Sequence, residues 1–196
     1  MKSTVYFRCF EEDDAPLIYK WMNDDELKSM SIGLNRRMSK EEALNWVKAR
    51  INHSPYQVWW AICAVDSDKM IGYMSLTDIH YINSSACFSG IVLGDKDYSN
   101  GFAWIESYLF VREYAFERLN LNRLYGEHLV GHKQTEIIGK AFFQKEEGIL
   151  RQAVFKNGKY YDVRISSILR SEYLEHKEKG DFEIRSIIKR FRKNNN

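Results

Sequence analysis

The chain of 196 residues is long enough for one domain with a hydrophobic core, and 44% of its residues are hydrophobic. Its 29 basic and 27 acidic residues leave a formal net charge of +2, which is too balanced for nucleic acid or an anionic membrane to be the main partner. Three cysteines without a Cys-x-x-Cys pair, no signal peptide and no apolar run of about 20 residues predict a soluble cytoplasmic protein with no disulfide or metal framework.

The first part of the chain predicts one short strand followed by two amphipathic helices. The strand covers residues 4–9, and apolar residues at helical spacing follow the acidic run Glu11–Asp14. Ser39 has capping-box spacing to Glu42, which marks the start of the second helix. The polar, glycine-containing stretch 29–38 between the helices is predicted to be a loop.

The middle of the chain predicts three neighbouring strands, at residues 58–65, 70–77 and 86–93. The turns between them are short and polar, which is typical of an antiparallel meander. A longer helix follows at about residues 102–119, and a further strand covers residues 123–130.

The last part of the chain predicts a shorter helix and a β-hairpin. The hairpin strands cover residues 149–155 and 160–169, and they flank Asn157-Gly158, a strong signal for a tight hairpin turn. No repeat or linker divides the chain, so we predict a single domain over residues 1–170. The charged segment 171–196 is predicted to be an extension of that domain. It is expected to form either one more helix or a solvated tail, and the tail is favoured for the basic residues from Arg185 to Lys193.

One stretch, residues 90–106, combines an apolar strand, a polar glycine-containing turn and the start of the longer helix. The first N–H groups of a helix have no intrahelical acceptor and lie at the positive end of the helix dipole, so such a junction favours an anion. Gly101 permits a ligand to approach the main chain closely. We therefore predict that this stretch holds the pyrophosphate of a nucleotide-like cofactor.

The element order and this central turn resemble the GNAT superfamily of N-acetyltransferases over roughly residues 4–170. The family's pyrophosphate loop has Gln or Arg, two residues, Gly, one residue, then Gly or Ala, and residues 98–103 hold Tyr-Ser-Asn-Gly-Phe-Ala in those places. Both small residues match, and Tyr98 replaces the leading residue. The opening segment Phe7–Asp14 and the pair Asp162-Val163 resemble the branch of ribosomal-protein, antibiotic and amino-sugar acetyltransferases.

The resemblance implies a mixed α+β fold whose central, twisted sheet of about seven strands is mostly antiparallel, has one splayed parallel pair and is flanked by about four helices. It implies acetyl-CoA as co-substrate, no metal, and direct attack of an amine on the thioester. It also implies that the following residues bind the cofactor: Ile91, Val92, Leu93, Tyr98, Ser99, Asn100, Gly101, Phe102 and Ala103.

The same resemblance implies the catalytic roles. The main-chain N–H of Val92, or of Leu93 beside it, is expected to polarise the thioester carbonyl, and Glu127 is expected to be the general base. His128 points to the opposite face of its strand and is the alternative base. Many family members protonate the departing thiolate with a tyrosine, but its place here falls on Ile138 or Gly139, and Phe142 replaces a family glycine.

These residues predict transfer of an acetyl group to a primary amine of a small molecule, with an amino sugar as the first candidate. Two alternatives stay open. One is a protein N-terminal acetyltransferase of the ribosomal-protein type. The other is a non-catalytic acyl-CoA-binding or regulatory module, which the missing tyrosine and the departures at Tyr98 and Phe142 suggest. The sequence leaves the acceptor undecided and a homodimer open.

Overall fold

The computed structural model describes residues 3–29, 31–33, 36–52, 54–98 and 101–194. The strands are Val5–Arg8 (β1), Val58–Ala64 (β2), Met70–His80 (β3), Ser85–Leu93 (β4), Arg123–Leu129 (β5), Lys145–Lys156 (β6) and Lys159–Leu169 (β7). The α-helices are Ala15–Met22 (α1), Asp25–Ser29 (α2), Lys40–Ile51 (α3), Phe102–Glu113 (α4), Lys133–Ala141 (α5), Arg170–Glu178 (α6) and Ile184–Asn194 (α7).

The seven strands form one sheet in the order β1-β2-β3-β4-β5-β7-β6. β4 and β5 are parallel, with Ser85–Cys87 beside Arg123–Tyr125. The pairs β1–β2, β2–β3, β5–β7 and β6–β7 are antiparallel. The predicted mixed α+β fold with one parallel pair is therefore confirmed.

The described residues contain seven α-helices, where the sequence predicted about four. Part of the difference is the short helix α2, which follows α1 where the sequence predicted no separate helix and which ends at Ser29, the first residue of the predicted loop. The rest lies at the C-terminus, where two helices, α6 and α7, form in place of one possible helix and a solvated tail. The tail prediction is wrong because α7 is amphipathic: Ile187 is fully buried, and the Arg190 Nε–H donates to the carbonyl oxygen of Ala141 at 2.9 Å.

Two local predictions from the sequence are confirmed. The Ser39 side chain accepts a hydrogen bond from the Glu42 N–H at 3.0 Å, and the Glu42 carboxylate accepts one from the Ser39 N–H at 2.8 Å. This capping box satisfies two groups at the start of α3. Asn157 and Gly158 both have positive φ, 49° and 80°, as a tight hairpin turn between β6 and β7 requires.

The chain divides into two compact units. Unit 1 comprises Met1–Asp78 and Ser89–Tyr108, and unit 2 comprises Ile79–Phe88 and Leu109–Asn196. The core of unit 1 is rich in aromatic residues from α1, α3 and the strands, among them Phe10, Trp21, Trp46, Trp59 and Tyr73. No helix in the described ranges combines the length and the apolar character needed to cross a lipid bilayer.

The core of unit 2 joins β5 and β7 to the C-terminal half of α4 and to the last three helices. Phe116 stacks on Tyr173 of α6, with ring centroids 4.8 Å apart. Arg112 is fully buried, and its guanidinium lies 4.7 Å from the centroid of Phe142. The charged C-terminal segment therefore contributes to the core of this unit.

Candidate active site

The predicted pyrophosphate segment lies in unit 1, where β4 leads into α4. Gly101 has φ +89°, and among the described residues other than its chain neighbours a Cβ there would meet no atom within 4 Å. The backbone conformation therefore favours glycine, while the Cβ position itself is open. α4 begins at Phe102, so the N–H groups of Ala103 and Trp104 belong to the first turn and have no intrahelical acceptor. These donors and the open space fit a diphosphate group.

The remaining residues predicted to bind the cofactor offer main-chain groups rather than side chains. The side chains of Ile91, Leu93 and Ala103 are buried, and that of Val92 packs against the aromatic core of unit 1. Two of the predicted residues, Ser99 and Asn100, lie outside the described residues.

Tyr98 occupies the place of the family's basic or amide residue. Its hydroxyl donates to Asp66 Oδ1 at 2.9 Å and lies 2.8 Å from Ser67 Oγ. Both partners belong to the turn between β2 and β3. The Tyr98 side chain thus holds the turn before α4 against a neighbouring turn, and the departure from the family pattern has a structural role.

Two contacts show which main-chain groups at the end of β4 face the neighbouring strand β3. A Cβ at Gly72 would collide with the carbonyl oxygen of Val92, so this carbonyl faces β3. Two residues later, the Gly94 N–H donates to a carbonyl oxygen of β3 at 2.9 Å. Main-chain groups alternate between the two edges of a strand, so those of Ile91 and Leu93 face the edge turned away from β3.

The start of α4 is also anchored from outside the helix. The Glu106 carboxylate accepts hydrogen bonds from the Thr4 N–H at 2.9 Å and from the Val5 N–H at 3.0 Å. The Ser3 hydroxyl donates to the same carboxylate at 3.2 Å. The sequence analysis missed this role, because no local pattern connects residues about a hundred positions apart.

The predicted base lies in unit 2. Glu127 is an exposed residue of β5 and is paired with Ile165 of β7. Its neighbour His128 points to the other face and is only 8% exposed. Close to His128, where β5 ends and α5 begins, lies a group of polar residues that we call the β5–α5 network: His128, His132, Glu136, Glu146 and Arg164.

Charge and burial determine the protonation state of the two histidines in this network. Arg164 forms ion pairs with Glu136 at 2.8 Å and with Glu146 at 3.1 Å. Burial is the main cause that lowers the pKa of His128, and the charge of Arg164 lowers it further. Burial also lowers the pKa of His132. Both rings are therefore neutral at pH 7 and able to accept a proton.

The hydrogen bonds of the two histidines differ. His132 Nδ1 accepts from the Thr135 N–H at 3.4 Å at the start of α5. For His128 Nε2, the described part of the chain supplies no hydrogen-bond partner. His128, the alternative base of the sequence analysis, is thus a buried imidazole whose lowered pKa favours the neutral form.

The end of α5 revises one detail of the family resemblance. Phe143 has φ +59°, a conformation that favours glycine, whereas Phe142 has φ −106°. The family glycine thus corresponds in conformation to Phe143, one residue later than expected. The same shift moves the place of the family tyrosine from Ile138 or Gly139 to Gly139 or Lys140, and a Cβ at Gly139 would lie 3.0 Å from Gln144 Oε1.

Comparison with known proteins identifies the family. Residues 4–141 match the model of the acetyltransferase (GNAT) domain. The spermidine N(1)-acetyltransferase of Vibrio cholerae is 34% identical over 181 residues, which cover 91% of this chain and 100% of that protein. An uncharacterized N-acetyltransferase of Bacillus subtilis, YoaA, is 27% identical over 85% of this chain and 93% of its own length.

Solved structures agree with these relatives. The crystal structure of the Vibrio cholerae spermidine N-acetyltransferase in complex with CoA and spermine matches with a TM-score of 0.79 and 26% identity, over 88% of this chain and 99% of that one. A GCN5-related N-acetyltransferase from Brucella melitensis matches with a TM-score of 0.75 at 18% identity, over 91% of this chain and 81% of that one, which supports the fold. The chain therefore belongs to the GNAT family and is an N-acetyltransferase.

Proposed function

We propose that this N-acetyltransferase uses acetyl-CoA and acetylates a primary amine of an aliphatic polyamine. The observation that carries the cofactor assignment is the β4–α4 junction, where the Cβ position of Gly101 is open and the first-turn N–H groups of α4 follow directly. GNAT acetyltransferases use acetyl-CoA, and the matched Vibrio cholerae enzyme was crystallised with CoA.

The acceptor assignment rests on the relatives. The curated relative with 34% identity is named for spermidine, and the solved structure contains spermine. An amino sugar, the first candidate from the sequence, has no comparable support and becomes the second acceptor to test. A peptide N-terminus is the third.

The main chain of β4 supplies the electrophilic assistance in this proposal. Acetyl-CoA, when bound, supplies an activated acetyl group and a thiol leaving group. Because the main-chain groups of Val92 face β3, we assign the N–H that polarises the thioester carbonyl to Leu93 instead of Val92. A donor in this position stabilises negative charge as it develops on the carbonyl oxygen.

A general base is needed because the amine must lose a proton before it attacks. For an amine with a pKa of about 10.4, deprotonation at pH 7 costs roughly 4–5 kcal/mol. We keep Glu127 as the proposed base, because an exposed carboxylate can take the proton and release it to solvent. His128, which is neutral and buried, is the second candidate.

The test begins with calorimetric titration of acetyl-CoA into the purified protein. We expect saturable binding, and no binding at high micromolar ligand would contradict the cofactor assignment. Thiol release is then measured with spermidine, spermine, glucosamine and a short peptide. We expect the highest kcat/KM with a polyamine; a higher value with glucosamine or the peptide would overturn the acceptor assignment but leave the cofactor assignment intact.

A further inference from the structure

Trp21 of α1 is placed unusually close to the main chain at the end of β4. A Cβ at Gly94, the residue that follows β4, would collide with the five-membered ring of the Trp21 indole, at Nε1, Cδ1 and Cε2. Gly94 therefore has no room for a side chain, and the indole edge that carries the N–H lies against its main chain. Both residues belong to unit 1.

Packing holds the indole in this position. Trp21 is 3% exposed and lies within the aromatic core of unit 1. Its ring stacks on Tyr73, with centroids 6.3 Å apart and planes 25° apart. A side chain held in this way loses little conformational entropy when it binds a further group, so its N–H is a preorganised donor.

The Trp21 N–H makes no hydrogen bond within the described ranges, and its nitrogen is not one of the fully buried polar atoms there, so it is open to a ligand or to solvent. Indole N–H groups in or beside a protein core usually have a hydrogen-bond partner, from the protein, a ligand or water. Trp59, in the same aromatic core, follows the rule: its Nε1–H donates to Gln57 Oε1 at 3.0 Å.

We propose that Trp21 donates its Nε1–H to an oxygen of the cofactor arm that passes the end of β4. The inference rests on the proposed use of acetyl-CoA. The same strand end presents the outward main-chain groups of Leu93, and the turn after Gly94 leads to the first turn of α4. A carbonyl oxygen of the pantetheine arm and an oxygen of the diphosphate are both acceptors of the required chemistry.

The main test compares Trp21→Phe with Trp59→Phe, each of which removes one indole N–H from the same aromatic core. The dissociation constant for CoA is measured by calorimetry, and folding is checked by thermal unfolding. We expect Trp21→Phe to weaken CoA binding by roughly 3- to 10-fold for a carbonyl acceptor and by about 10- to 100-fold for a phosphate acceptor. Trp59→Phe is expected to change binding less than about 2-fold. Equal affinities for wild type and Trp21→Phe would overturn the inference.

Repeating the titrations with acetyl-pantetheine separates the two sources of the oxygen, because this ligand lacks the diphosphate. If the loss caused by Trp21→Phe persists with acetyl-pantetheine, the acceptor lies on the pantetheine arm. If wild type and Trp21→Phe bind acetyl-pantetheine equally well, the acceptor is a phosphate oxygen. A change in the KM for the amine with unchanged CoA affinity would overturn the inference, because it would place Trp21 beside the acceptor substrate.

A second measurement does not depend on the stability of a variant. The five tryptophans give separate indole N–H signals in a nitrogen–proton correlation spectrum, and the signal that is missing in Trp21→Phe identifies Trp21. On addition of CoA to the wild-type protein, we expect the Trp21 signal to move downfield and the Trp59 signal to stay in place. A stationary Trp21 signal in a protein that binds CoA overturns this inference alone, whereas absence of CoA binding overturns the proposed function.

Discussion

The β4–α4 junction of unit 1 and the β5–α5 network of unit 2 present their chemistry by different means. The junction offers main-chain N–H groups and open space, and its properties depend on the backbone conformation of Gly101. The network offers titratable side chains, and its properties depend on burial and on the charge of Arg164. Substitutions at the junction should therefore change ligand affinity. Substitutions in or beside the network should change the pH dependence of activity and stability.

The largest effect is expected from a negative charge at the junction. Gly101→Asp should weaken acetyl-CoA binding by roughly 1,000-fold, because a carboxylate repels the diphosphate at close range. Gly101→Asn is the matched control, since it has nearly the same shape, tolerates positive φ and carries no charge. Calorimetry measures both; equal losses for the two variants would show that backbone strain, rather than charge, is responsible.

The second-largest effect is a loss of turnover when the proposed general base is replaced. Glu127→Gln should lower kcat by about 100-fold with acetyl-CoA affinity unchanged, because the amide cannot accept the proton. His128→Gln is made in parallel and should change kcat far less. The opposite ranking would transfer the role of base to His128. The pH profile of kcat/KM for each variant provides an independent readout.

The network should also make the free energy of unfolding depend on pH. The pKa of His128 is lower in the folded protein than in the unfolded chain, so the unfolded state binds more protons below about pH 6.5. Stability should therefore fall as the pH drops from 7 toward 5. His128→Asn should flatten this slope, as measured by urea unfolding at several pH values. The exposed His80 provides the control, and an equal flattening in His80→Asn would contradict the assignment.

The smallest effect is expected at the anchor of the turn. Tyr98→Phe removes the hydroxyl that contacts Asp66 and Ser67, and it should cost about 1 kcal/mol of stability. Acetyl-CoA affinity should fall only a few-fold, since the main-chain donors are retained. Thermal unfolding and calorimetry measure the two effects. A loss of affinity as large as that of Gly101→Asp would show that the tyrosine contacts the cofactor directly.

Much of the fold was predictable because its signals are local. The capping box at Ser39, the hairpin turn at Asn157-Gly158 and the strand–turn–helix segment around Gly101 each depend on a few consecutive residues. The predictions failed where a segment takes its structure from distant partners. From the sequence, the basic end of the C-terminal segment is predicted to be a solvated tail, because the Ala141 partner of Arg190 is remote in the sequence and the burial of Ile187 has no local signal.

By itself, the sequence determined the order of the seven strands and of α1, α3, α4 and α5, the glycine-containing turn of the proposed cofactor segment and the family resemblance. Only the tertiary structure decided that Leu93, and not Val92, turns its main-chain groups away from β3, and that Trp21 lies against Gly94. Likewise, only the tertiary structure showed Glu106 bound to the start of β1. The physical reason is that periodicity and backbone preferences act between near neighbours, whereas strand register, ring packing and the burial of a histidine depend on which distant residues meet.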